Sequence, residues 1–137
     1  MKPKKIWANL SVKDVERTHE FYKTLVFKPN GAFPNEYELA SFLVGVNDFV
    51  IHFFSRDSVQ FMKSIGGEIA DLNQGNEIIF TLSADSKEEV EKWAKEVEKA
   101  GGTVFSKPQN IQANKDWCGC GFKDPDGHKW NVFYNGK

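Results

Sequence analysis

Chemistry near neutral pH needs a side chain that changes charge there, and His52 is the residue of this chain best placed for it. It interrupts the apolar run Phe49-Val50-Ile51-His52-Phe53-Phe54. On a strand, parity puts it on one face with Val50 and Phe54. An imidazole there acts as a hydrogen-bonded interior group, as an anchor or general base for a ligand, or as one ligand of a metal. The chain has three histidines. His19 falls in a helical pattern among polar neighbours and reads as structural. His128 follows a turn and reads as a hairpin or interface residue. Cys118 and Cys120 are separated by one glycine and are poorly spaced for a disulfide with each other. Such a pair can hold a soft metal, but beside Gly119 and Gly121 the plainer reading is a pair of small structural residues. There is no catalytic triad, phosphate loop or nucleotide fingerprint.

The elements that position these residues come in two similar sets. Ile6-Trp7-Ala8-Asn9-Leu10-Ser11-Val12 opens the first, and Ile78-Ile79-Phe80-Thr81-Leu82-Ser83-Ala84 opens the second. Each is an alternating strand that ends near an aspartate (Asp14, Asp85) and leads into an amphipathic helix. The first helix spans about Val15 to Leu25, with Asp14 as N-cap and Val15, His19, Tyr22 and Leu25 on its buried stripe. In the second, Ser86 and Glu89 form a capping box, Val90, Trp93, Ala94, Val97 and Ala100 recur at helical spacing, and Gly101-Gly102 stops the helix. Each set closes with a hairpin. In the first, Tyr37–Val46 and Phe49–Phe54 turn at Asn47-Asp48. In the second, Trp117–Lys123 and His128–Tyr134 turn at Asp124-Pro125-Asp126-Gly127, where proline presets φ and glycine accepts a positive one. Val59, Phe61, Met62 and Ile65 suggest a short helix ended by Gly66-Gly67. Asp71 to Asn76 reads as the linker, Thr103 to Phe105 as a short strand and Pro108 to Lys115 as a polar loop.

The chain is 137 residues long with a net charge of −1, and it is rich in rings, with 12 Phe and 4 Trp. The length suits a single domain, 1–137, with half-modules of about 1–70 and 76–137. The charge supplies no field that would favour nucleic acid. No apolar run is long enough for a membrane span or follows Lys2, Lys4 and Lys5 as a signal peptide would, so a cytoplasmic protein is expected. Parity sorts the strands. Ile6, Ala8, Leu10 and Val12 pack under helices, as do Ile78, Phe80, Leu82 and Ala84. Trp7, Asn9, Ser11, Ile79, Thr81 and Ser83 take the open side, with His52 and Phe54 on one hairpin and Asn131 and Phe133 on the other. Whether Cys120 joins that side depends on a hairpin register that spacing alone leaves open.

The order of elements, with Asn9-Leu10-x-Val12-Lys13-Asp14, Leu82-Ser83-Ala84-Asp85-Ser86 and Asp124-Pro125-Asp126-Gly127-His128-Lys129-Trp130, resembles the vicinal oxygen chelate superfamily of glyoxalases, bleomycin-resistance proteins and extradiol dioxygenases. It looks most like bacterial proteins labelled predicted lactoylglutathione lyases. The resemblance covers essentially the whole chain. It implies an α+β fold of two βαβββ modules forming a cupped mixed eight-stranded sheet, the glyoxalase/bleomycin resistance fold, and a homodimer. The metal-ligand positions of the family land on Trp7, His52, Ile79 and Asn131. Only His52 is a good ligand there; Asn131 offers a neutral oxygen, and Trp7 and Ile79 offer nothing. The expectation is therefore a protein without a tightly bound metal or other cofactor. It would bind a small organic ligand through Trp7, Asn9, His52, Phe54, Thr81, Asn131 and Phe133. The alternative is a lyase, isomerase or dioxygenase-type enzyme that uses His52 as base or in an incomplete divalent-metal site.

Overall fold

A computed structural model of the chain describes residues 1–111 and 116–137. The described residues contain eight strands in two four-stranded mixed sheets, and the chain divides into two compact units, Met1–Ile69 and Ala70–Lys137. Each unit has the βαβββ order expected of an α+β module.

The first unit runs β1 (Trp7–Val12), α1 (Val15–Thr24), β2 (Lys28–Pro29), β3 (Leu39–Val44), β4 (Phe49–Ser55) and α2 (Val59–Ser64). Its sheet order is β1-β4-β3-β2, with β1 parallel to β4. Asp14 caps α1, its carboxylate accepting the Arg17 N–H at 3.0 Å. The helix buries Thr18, His19, Phe21 and Tyr22. Tyr22 stacks on Phe53 with ring centroids 4.7 Å apart and touches Phe42 at 5.7 Å. With Leu10, Val12, Ala40 and Ile51, these rings form the core under α1. Each large side chain so buried contributes about 1.5–3 kcal/mol. His19 is structural, as expected, but its surroundings are aromatic rather than polar: its ring lies parallel to Phe33, 3.9 Å away.

The first hairpin turns through Gly45–Asp48, with Gly45 at φ 76 and Asp48 at φ 54, so it is longer than the Asn47-Asp48 turn that the sequence suggested. Its first strand begins at Leu39 and not at Tyr37. Asn35 is the cause: its Oδ1 accepts the N–H of Tyr37 at 3.1 Å while its Nδ2 donates to Leu39 O at 2.8 Å, closing a turn ahead of the strand. The short helix α2 forms where expected and buries only Phe61, which stacks on Phe54 at 5.3 Å.

The second unit runs β5 (Ile79–Ser83), α3 (Lys87–Ala100), β6 (Thr103–Asn110), β7 (Cys118–Lys123) and β8 (Lys129–Tyr134), in sheet order β5-β8-β7-β6. Ser86 Oγ accepts the Glu89 N–H at 3.0 Å, and the Glu89 carboxylate accepts the Asp85 N–H at 2.5 Å. The capping box thus closes one residue further upstream than the usual reciprocal pair. Gly101, at φ 98, ends the helix as expected. The turn before β8 is built as predicted: Asp124 Oδ1 accepts the N–H groups of Asp126 and His128, and Gly127 takes φ 101. His128 is a buried hairpin residue whose Nδ1 lies 2.9 Å from Glu77 Oε1. The linker rests on the same turn, since Lys129 Nζ donates to Leu72 O at 3.3 Å.

Two further expectations need correction. Ile6 and Ile78 do not pack under helices but are 78% and 44% exposed. They precede the first paired residues of β1 and β5, Trp7 and Ile79, so no neighbouring strand carries a helix across them. Strand β6 continues to Asn110, well past Phe105, because two register shifts let it stay paired with β7 through Pro108, a residue with no N–H to donate. Only the remainder of the predicted loop is left, and its residues 112–115 lie outside the described residues. No helix among the described residues is long and apolar enough to cross a membrane.

Candidate functional site

In the first unit, register brings the expected residues onto the sheet face opposite α1. Trp7 pairs with Val50, Asn9 with His52 and Ser11 with Phe54 across β1 and β4. Across β3 and β4, Ser41 pairs with His52. Asn30 follows β2 and donates its backbone N–H to Ser41 O at 2.9 Å. One polar row therefore crosses the sheet as Asn9, His52, Ser41, Asn30. The side chains of the last three are joined: His52 Nδ1 lies 2.9 Å from Ser41 Oγ, which accepts from Asn30 Nδ2 at 3.0 Å. Burial holds the His52 imidazole below its usual pKa and so favours its neutral form. Phe54 meets His52 edge-on at 5.9 Å and stacks on Phe61. Trp7 remains 53% exposed and is not core filling in this unit.

In the second unit, the open face carries Thr81, Asn131 and Phe133 around a cavity of about 590 Å³. Thr81 pairs with Asn131 and Ser83 with Phe133, so parity had these right. The cavity has further walls that sequence reasoning missed: Phe105, Ser106, Gln109, Asn110 and Ile111. Phe105 sits in the bulge between Val104 and Ser106, and its ring lies over Gly121. A Cβ on Gly121 would come within 2.6 Å of Phe105 Cζ, and one on Gly119 within 2.7 Å of Ile111 Cδ1. The alternating glycines were the available signal, since glycine inside a strand marks a close approach by another group. Among the described residues of the lining there is no carboxylate, ammonium or imidazole.

Cys118 and Cys120 are free, buried thiols. Cys120 Sγ lies 3.8 Å from Val90 O on α3, and burial, aided by Cys118, pushes its pKa up to about 11. A thiol held protonated in this way is a poor nucleophile.

A family model described as the Glyoxalase/Bleomycin resistance protein/Dioxygenase superfamily matches residues 6–132. The chain belongs to this superfamily. A hypothetical protein from Staphylococcus aureus is 27% identical over 98% of this chain and 95% of its own, with a TM-score of 0.80. A lactoylglutathione lyase from Agrobacterium tumefaciens is 20% identical, over 98% and 96% of the two chains, with a TM-score of 0.66. A fosfomycin resistance protein from Listeria monocytogenes is 18% identical, over 98% and 93%, at 0.67. Identities of this size carry the glyoxalase-superfamily fold and not its chemistry. No curated protein matches the chain.

The metal that the superfamily resemblance implies does not fit the donors present. At the family's ligand positions the first unit has Trp7 and His52, a single imidazole, and the second has Ile79 and Asn131, a single neutral amide oxygen. First-row metals in catalytic sites take about three protein ligands. Among the described residues, no three His, Cys, Asp or Glu side chains gather as a metal site needs.

Proposed function

We propose that this glyoxalase-superfamily protein binds a small, uncharged organic ligand, without a tightly bound metal. The observation that carries the reading is the cavity of about 590 Å³ on the second sheet. Two rings, Phe105 and Phe133, supply apolar contact. The hydroxyls of Thr81 and Ser106 and the amides of Gln109 and Asn131 supply donors and acceptors. Apolar walls with a few directed neutral polar groups suit a planar molecule bearing carbonyl or amide functions. A charged ligand finds no counter-ion among the described residues of that lining and loses hydration on entry.

The reading is tested by a thermal-shift screen of matched neutral and charged aromatic compounds, run in the presence of EDTA. Binding to the native state raises its melting temperature in proportion to the logarithm of ligand concentration over Kd. Neutral hits that persist in EDTA and are lost in Asn131→Leu and Phe133→Ala support it. Hits that require added divalent metal, or that bind both variants as tightly as the parent, refute it.

A further inference from the structure

In the first unit, the chain Asn30–Ser41–His52 can be followed proton by proton. Ser41 Oγ is one donor and two acceptor sites. Asn30 Nδ2 occupies one acceptor site at 3.0 Å. The remaining contact is with His52 Nδ1 at 2.9 Å. Ser41 is buried, and among the described residues its hydroxyl has no other hydrogen-bond partner. Were Nδ1 protonated, it would donate to Ser41, and the hydroxyl proton would point nowhere. An unsatisfied buried donor is costly, so the hydroxyl donates to Nδ1 instead. A neutral imidazole with an accepting Nδ1 carries its proton on Nε2. Among the described residues that nitrogen has no hydrogen-bond partner, and it is not sealed from solvent.

We propose that Ser41 and Asn30 are positioning residues that hold His52 as the Nε2–H tautomer, so that this face offers a hydrogen-bond donor to a ligand oxygen. His52 then anchors a carbonyl or oxyanion. It does not present Nε2 as a lone pair to a substrate proton or a metal. Asn30 sets the direction of the whole chain because its amide nitrogen can only donate.

The test reads the tautomer directly, in the ligand-free protein, from the ¹⁵N shifts and two-bond ¹⁵N–¹H couplings of the His52 ring above its titration. It does not depend on whether the cavity of the second unit binds anything. In the parent, Nε2 should be protonated in at least about a tenfold excess, the ratio that one unsatisfied buried hydroxyl imposes. Solvated imidazole already leans this way, so the variants decide. Asn30→Asp replaces the donor by an acceptor. The Ser41 hydroxyl then turns toward the carboxylate, and the excess should reverse to Nδ1–H. Ser41→Ala should reduce the excess toward the solvated ratio, and Ser41→Thr should restore it. The separate resonances of His19 and His128 report whether each variant is folded. A parent in the Nδ1–H form, or an Asn30→Asp protein with the parent tautomer, overturns the proposal.

Discussion

Gly121 and Phe105 form a pair whose coupling can be worked out from geometry. An ideal Cβ on Gly121 falls 2.6 Å from Phe105 Cζ and 2.7 Å from Cε1. Carbon atoms prefer about 3.5–4.0 Å, so the overlap is about 1 Å and the ring must move. Overpacking of this kind costs about 1–3 kcal/mol, from which replacing a strand glycine recovers about 0.5–1. Gly121→Ala alone should therefore destabilise by about 1 kcal/mol. Phe105 is 49% exposed, so Phe105→Ala forfeits about half the value of a buried ring, again about 1 kcal/mol. In the double variant the methyl group enters space that the ring has left, and only the backbone benefit remains. It should then be close to the Phe105→Ala protein or slightly more stable, which is a coupling of about 1–2 kcal/mol. Urea unfolding of the four proteins, at unchanged slope with denaturant, measures this. Additivity within about 0.5 kcal/mol would show that the ring does not rest on Gly121 and that this wall of the cavity is misplaced.

Three further outcomes follow from other sites. Ser86→Ala should cost about 1 kcal/mol in urea unfolding, through loss of the bond to the Glu89 N–H, and Ser86→Asp should recover most of it. His19 is held below its ordinary pKa by burial, against Glu20, which raises it, and with Lys23, which lowers it further. The unfolded chain therefore binds the proton more readily. The stability contributed by His19 is complete above about pH 6.5 and is lost as pH falls through its folded pKa. Melting temperatures from pH 8 to 5 should accordingly fall less steeply in His19→Phe than in the parent, and equal slopes would count against the buried stack on Phe33. Cys120, with its pKa near 11, should resist a thiol reagent at pH 8 in the native protein and react once denatured; rapid native labelling would contradict its placement against α3.

The parts of the fold that could be read from sequence are those where local chemistry and periodicity agree. Asp14, Ser86 and Gly101 end their helices by side-chain and backbone rules that need no tertiary context. Strand parity placed Trp7, Asn9, His52 and Phe54 on one face and Thr81, Asn131 and Phe133 on the other sheet's open face, since a period of two survives ignorance of the partner strand. Whatever depended on pairing was harder. Ser41 stands opposite His52 only because the first hairpin turns through Gly45–Asp48, and a one-residue slip would put it on the helix side. The bulges of β6 have no local signature, so Phe105 read as the end of a short strand instead of a cavity wall. Ile6 and Ile78 matched the alternation but lie beyond the reach of the sheets they lead into.

The central claim is that the second sheet holds a neutral ligand among Thr81, Gln109, Asn131 and Phe133 without a metal. Amide chemical-shift mapping tests it most directly: the ¹⁵N-labelled protein is titrated in EDTA with a neutral aromatic amide and, separately, with the carboxylate of the same ring. The amide should give saturable shifts centred on Thr81, Ser106, Gln109, Asn131 and Phe133, and the carboxylate should bind at least about tenfold more weakly. Tighter binding of the carboxylate, or shifts at these residues that appear only after a divalent metal is added, would contradict it.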